Sequence, residues 1–356
     1  MKPWMIAYLL VTVCLKSYAG ERYEFYNGVR ALGMGGAAVA VVNDETALLY
    51  NPAGLGKLRD YFITIIDPEI AIGEKTEQIA GLDFLQMGNP QTALTKALVN
   101  PDLHNHVRTQ VFPSLVVPNF GIGLFAKYET NAEYDTTTNK FKYDYTNDYA
   151  GVFGFNFRIY GGIIKWGFTG RIVNRVEVHR DDIDPASTSL SLSSLGSEGL
   201  GIGGDSGLMI TAPVAYLPTL AAVYRDIGRT TYNFRDGMFL NTTTKPVSTA
   251  ESVDVALAIN PIHGKRWRST WTVEYRDALT ASKETDHSRR THAGVEFNFA
   301  DAVFLRAGMN QRYWTTGFEL SVMNYQLQAA YYGEEIGTAA APRGDRRYVV
   351  KFAFRF

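Results

Sequence analysis

Along much of the chain, apolar and polar side chains alternate one by one. The C-terminus is the clearest stretch: Tyr348, Val350, Phe352, Phe354 and Phe356 interleave with Val349, Lys351, Ala353 and Arg355. Val295, Phe297 and Phe299 interleave with Gly294, Glu296 and Asn298, and Val303, Leu305 and Ala307 with Phe304, Arg306 and Gly308. Trp314, Thr316, Phe318, Leu320 and Val322 alternate with Thr315, Gly317, Glu319 and Ser321. Upstream, Trp267, Trp271, Val273 and Tyr275 face away from Arg268, Thr272, Glu274 and Arg276, and Phe153 to Ile159 repeats the pattern. A period of two is that of a strand with unlike faces. It fits a soluble sandwich with its apolar face inward. It fits equally a transmembrane barrel with its apolar face toward lipid and its polar face toward the lumen. Run length favours the barrel, because about ten residues is what a tilted membrane-crossing strand needs. Tyr and Trp near the run ends suit interfacial girdles.

The strand segments predicted in this way are 61–71, 107–117, 120–130, 145–160, 163–178, 205–213, 216–236, 251–260, 266–277, 290–299, 302–310, 312–322, 324–333 and 346–356. Their connections alternate in length, apart from a tight turn near Gln311. Short ones fall near Pro118, Gly161-Gly162, Pro213, Pro261, Ala300 and Asn324, and long ones at 72–106, 131–144, 179–204, 237–250, 278–289 and 334–345. Short turns on one side of a membrane and long loops on the other are the habit of outer-membrane barrels. The expected fold class is therefore all-β: a transmembrane antiparallel barrel of about 14 strands over 61–356. The connection 72–106 carries apolar residues at helical spacing (Ile79, Leu82, Leu85, Leu94, Leu98) and predicts a helical loop insertion. Ser187–Ser197 and the run Gly199–Gly204 read as loop; the latter lacks the helix and acidic residue that a nucleotide-binding glycine motif requires.

The N-terminus reads as an address. Lys2, an apolar stretch from Trp4 to Leu15 and Ser17-Tyr18-Ala19 predict a secretory signal peptide over residues 1–19. Cys14, the chain's one cysteine, lies inside it, so thiol catalysis, disulfides and Cys-ligated metal are excluded for the mature protein. With 35 basic and 36 acidic side chains there is no basic surplus for nucleic acid. His104 and His106 near Asp102 are a poor metal pair at i,i+2 spacing, so no metal, no cofactor and no enzymatic activity is expected.

Residues 28–56, within a segment 20–60 placed before the first strand, read GVRALGMGGAAVAVVNDETALLYNPAGLG. Gly33, Gly35 and Gly36 permit a close-packed backbone, and Asn51-Pro52 marks a turn before Ala53. This Gly/Ala-rich stretch, the acidic pair Asp44-Glu45 and Asn51-Pro52-Ala53 resemble the N-terminal hatch of the FadL-like outer-membrane proteins. The Gly-Met-Gly-Gly-Ala form is most similar to the PorV-like branch, and HAGVEFNF, FLRAGMNQRYWTTGFEL and the terminal Phe356 carry the likeness at the other end.

The resemblance implies a 14-stranded barrel in the bacterial outer membrane, plugged by the N-terminal segment, with lipid and lipopolysaccharide around it. It implies Phe352, Phe354 and Phe356 as the signal read by the barrel-assembly machinery. It also implies transport of hydrophobic small molecules of the long-chain fatty-acid type. Leu82, Phe84, Leu85 and Leu94 are the candidate apolar groove for such a substrate. A PorV-like platform for a secretion or surface protein partner, and a narrow porin for polar solutes, are the alternatives. The inward polar set would be Arg158, Arg171, Arg268, Glu274, Glu296, Arg306, Glu319, Lys351 and Arg355. In a porin these tune selectivity; in a plugged barrel they pair and fill the lumen.

Overall fold

The computed structural model describes residues 24–78, 86–279, 286–338 and 341–356. Fourteen antiparallel strands close into a barrel. β1 runs over Phe62–Ile66 and, after a break, Glu69–Gly73; β2 runs over Asn105–Val111 and Ser114–Val117. Then follow β3 (Phe120–Asp135), β4 (Lys140–Ile159), β5 (Ile164–Ile183), β6 (Ser197–Thr211) and β7 (Thr219–Arg225). The second half holds β8 (Ser252–Ile259), β9 (Trp267–Tyr275), β10 (Thr291–Phe299), β11 (Val303–Asn310), β12 (Tyr313–Val322), β13 (Tyr325–Glu335) and β14 (Gly344–Arg355). β14 closes the ring by pairing with both parts of β1, from Thr64 opposite Arg355 to Gly73 opposite Arg347.

Polarity is inverted relative to a soluble protein. Leu305, Phe318, Leu320, Leu327, Val350 and Phe352 are exposed on the outer face, while Glu274, Glu296, Arg306, Glu319 and Lys351 are buried. Such a surface is stable only where hydrocarbon replaces water outside. Closure matters for the same reason, since an open strand edge would leave backbone groups without partners in lipid. Outward aromatics form two girdles: Phe157, Trp166, Trp267, Phe299 and Tyr325 near the short turns, and Tyr275, Trp314, Tyr331 and Tyr348 near the opposite ends of their strands, with Tyr149 midway along the taller β4.

Several strand limits differ from the alternation pattern. β3, β4 and β5 extend well past the predicted 120–130, 145–160 and 163–178, so the connection expected at 131–144 shrinks to residues 136–139. Above the membrane the outer face of these strands is covered rather than bathed in lipid, so alternation fades. The helix α3 (Pro90–Val99) lies there. Met87, Ala93, Leu94 and Ala97 pack with Ala132, Phe141, Tyr143 and Val178 into an apolar cluster outside the wall. β6 starts at Ser197, not 205, so the Gly199–Gly204 run lies within a strand. The chain at 231–232 presses against it: a Cβ on Gly199 would sit 2.0 Å from Tyr232 O, and one on Gly201 2.6 Å from Thr231 O. The predicted strand 216–236 is only Thr219–Arg225.

Candidate functional site

Residues 24–58, the segment expected to be a hatch and called so below, pack against inward-facing residues of the barrel wall. Its α1 (Val29–Gly33) and α2 (Ala47–Tyr50) are single turns, and Pro52–Lys57 forms a 3₁₀ helix. Ala37–Val42 between them is fully buried. The structure places the predicted hatch residues as follows. Gly35 (φ +68°) and Gly36 (φ +86°) make a turn that side chains disfavour. Asn51 Oδ1 accepts from Ala53 N–H at 3.0 Å and caps the 3₁₀ helix, while its Nδ2 donates to Val39 O at 3.0 Å. Pro52 sits at the first helical position, where a missing N–H costs nothing.

Wall and hatch meet backbone to backbone on the β10–β12 side. A Cβ on Gly308 would lie 2.5 Å from Gly35 N, one on Gly294 2.3 Å from Met34 O, and one on Gly317 3.0 Å from Gly33 Cα. Thr315 Oγ1 donates to Gly33 O at 3.1 Å, and Gly35 N–H lies 3.0 Å from the same hydroxyl oxygen. Glu274 Oε2 accepts from the N–H groups of Ala38 and Val39 at 2.8 and 2.9 Å.

The inward charges pair across this contact. Arg30 of the hatch reaches Glu296 at 2.9 Å and Asp44 at 3.1 Å, and Glu296 also holds Arg306, which pairs with Glu319. Glu45 of the hatch meets Arg355 at 3.2 Å, and Lys351 joins Asp67 at 2.9 Å. Arg171 pairs with Asp205 and Asp226. Two of the predicted inward set stand at the rim: Arg158 donates to Leu58 O at 2.8 Å, and Arg268 pairs with Asp301. Between hatch and wall, beside Arg30, Asp44, Glu45 and Lys351, the cavity is about 30 Å³, room for roughly one water.

The opposite side of the hatch is different. Phe25 and Tyr26 pack on Phe125 with ring centroids 4.8 and 5.8 Å apart, Phe112 joins at 6.2 Å, and Tyr26 meets Tyr50 at 5.2 Å. Behind these rings the wall is interrupted. The β1–β2 ladder stops at Thr64 opposite Ser114 and resumes one register later at Glu69 opposite Gln110. Pro68 and Pro113 lack an N–H to donate. Phe112 N–H donates instead to the Asp67 side chain at 2.5 Å, and Ile65 and Ile66 both point outward as a bulge. Just outside lies an open apolar depression of about 460 Å³, lined among others by Pro113, Leu115, Leu124, Gly151, Phe153 and Ile172. The alternation pattern did not reveal this break; Asp67-Pro68 and Phe112-Pro113, facing each other across two predicted strands, were the available signal.

Leu94 is 1% exposed inside the outer cluster. Leu82, Phe84, Leu85 and the segment 1–19 lie outside the described residues. Phe352 and Phe356 are exposed on the lipid side of β14, with Phe354 half-buried between them. His104 Nδ1 lies 3.5 Å from Glu133, and His106 Nδ1 lies 2.8 Å from Asn131 Oδ1, so the two rings turn to separate partners.

No model of a protein family matches the chain, and no curated protein matches it. Solved structures do. The chain is similar to the Pseudomonas putida toluene transporter TodX at 12% identity and TM-score 0.56, over 94% of this chain and 99% of that one. It is similar to the monoaromatic hydrocarbon channel CymD at 11% identity and TM-score 0.55, over 92% and 96%. A Pseudomonas aeruginosa FadL homologue aligns at 10% identity and TM-score 0.51, over 96% and 99%. At such identities the likeness is one of fold, and that fold is the fourteen-stranded barrel of the FadL-like outer-membrane proteins.

Proposed function

We propose that the protein resides in the bacterial outer membrane and passes hydrophobic small molecules between its lumen and the membrane, through the wall at the β1–β2 seam. One observation carries this: apolar surface lies on both sides of the same interrupted stretch of wall. Inside are Phe25, Tyr26, Phe112 and Phe125; outside is the depression at Pro113, Leu124 and Phe153. The Asp67 side chain stands in there for a missing rung of the backbone ladder. A greasy solute moving along these rings avoids the ion-paired remainder of the lumen, where polar groups hold their partners. The paired charges also argue against an open pore for polar solutes. Two of the solved structures sharing the fold are described as a toluene transporter and a monoaromatic hydrocarbon channel, which supports an aromatic or long-chain apolar substrate. In this setting lipid and lipopolysaccharide surround the barrel, and Phe352, Phe354 and Phe356 address it to the barrel-assembly machinery.

Gly151 provides the test. It faces the outer depression, and a Cβ there meets nothing within 4 Å, so a large side chain enters open space. Gly151→Trp should fold normally and reduce uptake of a radiolabelled fatty acid or toluene into proteoliposomes by most of its wild-type rate. Uptake at the wild-type rate overturns the lateral route. Recovery of a secretion or surface partner from mildly solubilised membranes, with no bound hydrophobic molecule, favours the platform instead.

A further inference from the structure

The long connection between β7 and β8 does not stand clear of the barrel. It folds back on the tall upper part of β6. Phe234 N–H donates to Leu200 O at 3.0 Å and Leu200 N–H to Arg235 O at 3.1 Å, a single backbone bridge. Farther along, Glu198 N–H donates to Thr244 O at 3.0 Å. Between these two anchors the chain crosses onto the outer face of the wall.

Glu198 is the reason it stays there. In the β5–β6 register Ile202 lies opposite Ile172 and Glu198 opposite Val176, so the Glu198 side chain shares the outward face of those two isoleucines. A carboxylate on that face is costly unless donors saturate it. Here it is fully buried and accepts four: the N–H groups of Met238 at 2.7 Å, Phe239 at 3.0 Å and Leu240 at 2.5 Å, and Asn174 Nδ2 at 2.8 Å. Charge-assisted bonds of this kind are the strong ones. The chain passes so close that a Cβ on Gly237 would lie 2.0 Å from the Glu198 carboxyl carbon.

What this peg presents to the outside is apolar. Met238 and Phe239 are 64% and 60% exposed. Phe239 packs on Tyr149 with centroids 5.2 Å apart, and Tyr149 is exposed on the outer face midway along β4. The exposed Ile172 and Ile202 lie just below on the lipid-facing wall. Single exposed apolar side chains are ordinary; two neighbours on a pinned segment, one of them packed on a ring of the lipid-facing wall, are not. The neighbouring Arg235 is exposed, and Lys245 pairs with Asp236 at 2.6 Å, which places charge beside the apolar patch at headgroup height.

We propose that residues 237–240 form a flap embedded in the outer leaflet. Met238 and Phe239 enter the boundary between headgroups and acyl chains, and Glu198 is the positioning residue from which the flap hangs. The occupant of this apolar surface is lipid, because the patch extends the lipid-facing belt through Tyr149. The inference does not rest on the transport reading.

The test uses the full chain with Cys14→Ser in phosphatidylcholine nanodiscs. Spin labels are placed singly at Met238→Cys, at Ile202→Cys as the lipid reference and at Thr137→Cys on the β3–β4 hairpin as the water reference. Collision with oxygen and with a water-soluble nickel chelate is then measured. The Met238 label is expected to match Ile202 in favouring oxygen. Accessibility equal to that of Thr137 overturns the proposal. Adding Glu198→Ala should shift the Met238 label toward the water type while leaving the Ile202 label unchanged; an unmoved Met238 label removes Glu198 from its role. Should that variant fail to fold, the Met238 label in the otherwise native chain still decides where the flap lies.

Discussion

Two of the beds on which the hatch rests are unlike. Against β10–β12 it is held by glycines meeting glycines, by Thr315 and by the Arg30–Glu296 pair, with backbone atoms in direct contact. Against β2 and β3 it is held by the rings of Phe25, Tyr26, Phe112 and Phe125, behind a wall whose ladder is interrupted. Backbone contacts through glycine leave no slack: any shift loses hydrogen bonds and gains none. Aromatic side chains repack by rotating. The difference teaches which side can move: the glycine bed is a fixed mount, and the aromatic bed is where passage is possible.

The comparison breaks most completely if the hatch is removed. Deleting residues 28–56 should convert a closed barrel into one with steady conductance in planar bilayers, while heat-modifiable migration shows that the barrel still forms. Conductance at the wild-type level would mean that the lumen is not sealed by this segment. Next in size is Gly308→Val, which forces a side chain into Gly35. It should destabilise the hatch by about 3 kcal/mol, the upper end for overpacking, and expose residues 28–56 to protease. Phe125→Leu on the aromatic side should cost less, about 1 kcal/mol, and leave the hatch protected. If the two variants prove equally damaging, the beds are not different in kind.

Arg30→Ala should cost about 2 kcal/mol, as loss of charged hydrogen bonds does, because Glu296 keeps Arg306 as a second partner. Urea titration of the protein in detergent would measure it. Asp67→Ala should cost a similar amount, about 2 kcal/mol, from the lost bond to Phe112 N–H and the lost Lys351 pair. Its expected signature lies elsewhere: faster uptake of apolar solute with unchanged conductance to salt. Slower uptake would show that the carboxylate guides passage rather than restraining it.

Much of the barrel was legible because lipid imposes a strict rule on every second residue. β9 to β14 obey it, and their limits fall close to those read from the alternation. The rule lapses where something other than lipid covers the outer face. Ala132 lies against α3, and Asn174 and Glu198 lie beneath the 237–240 chain, so those strand ends read as loop. Of the hatch, Asn51-Pro52-Ala53 and the glycines marked the place, but their partners did not announce themselves. Gly294 lies opposite Gly308 in the β10–β11 register, both at inward positions where a polar side chain is otherwise the habit. Paired glycines at the polar phase of neighbouring strands were the signal for a docking floor. The β1–β2 break was hidden because a bulge preserves alternation on either side while shifting the phase between.

The glycine mount also sets a timetable. Gly33 and its anchor Thr315 are 282 residues apart in the chain. Contacts so distant in sequence form late, after the cost of ordering the intervening loop has been met. The hatch emerges from the ribosome ahead of every barrel strand, and its berth does not exist until β10, β11 and β12 have been made. Since β1 follows directly after the hatch and pairs with β14, the closing of the ring encloses a segment made before any of its strands. Whatever catalyses insertion therefore has to tolerate a guest in the half-built cylinder, and a sluggish berth would register as delayed maturation rather than as a leak.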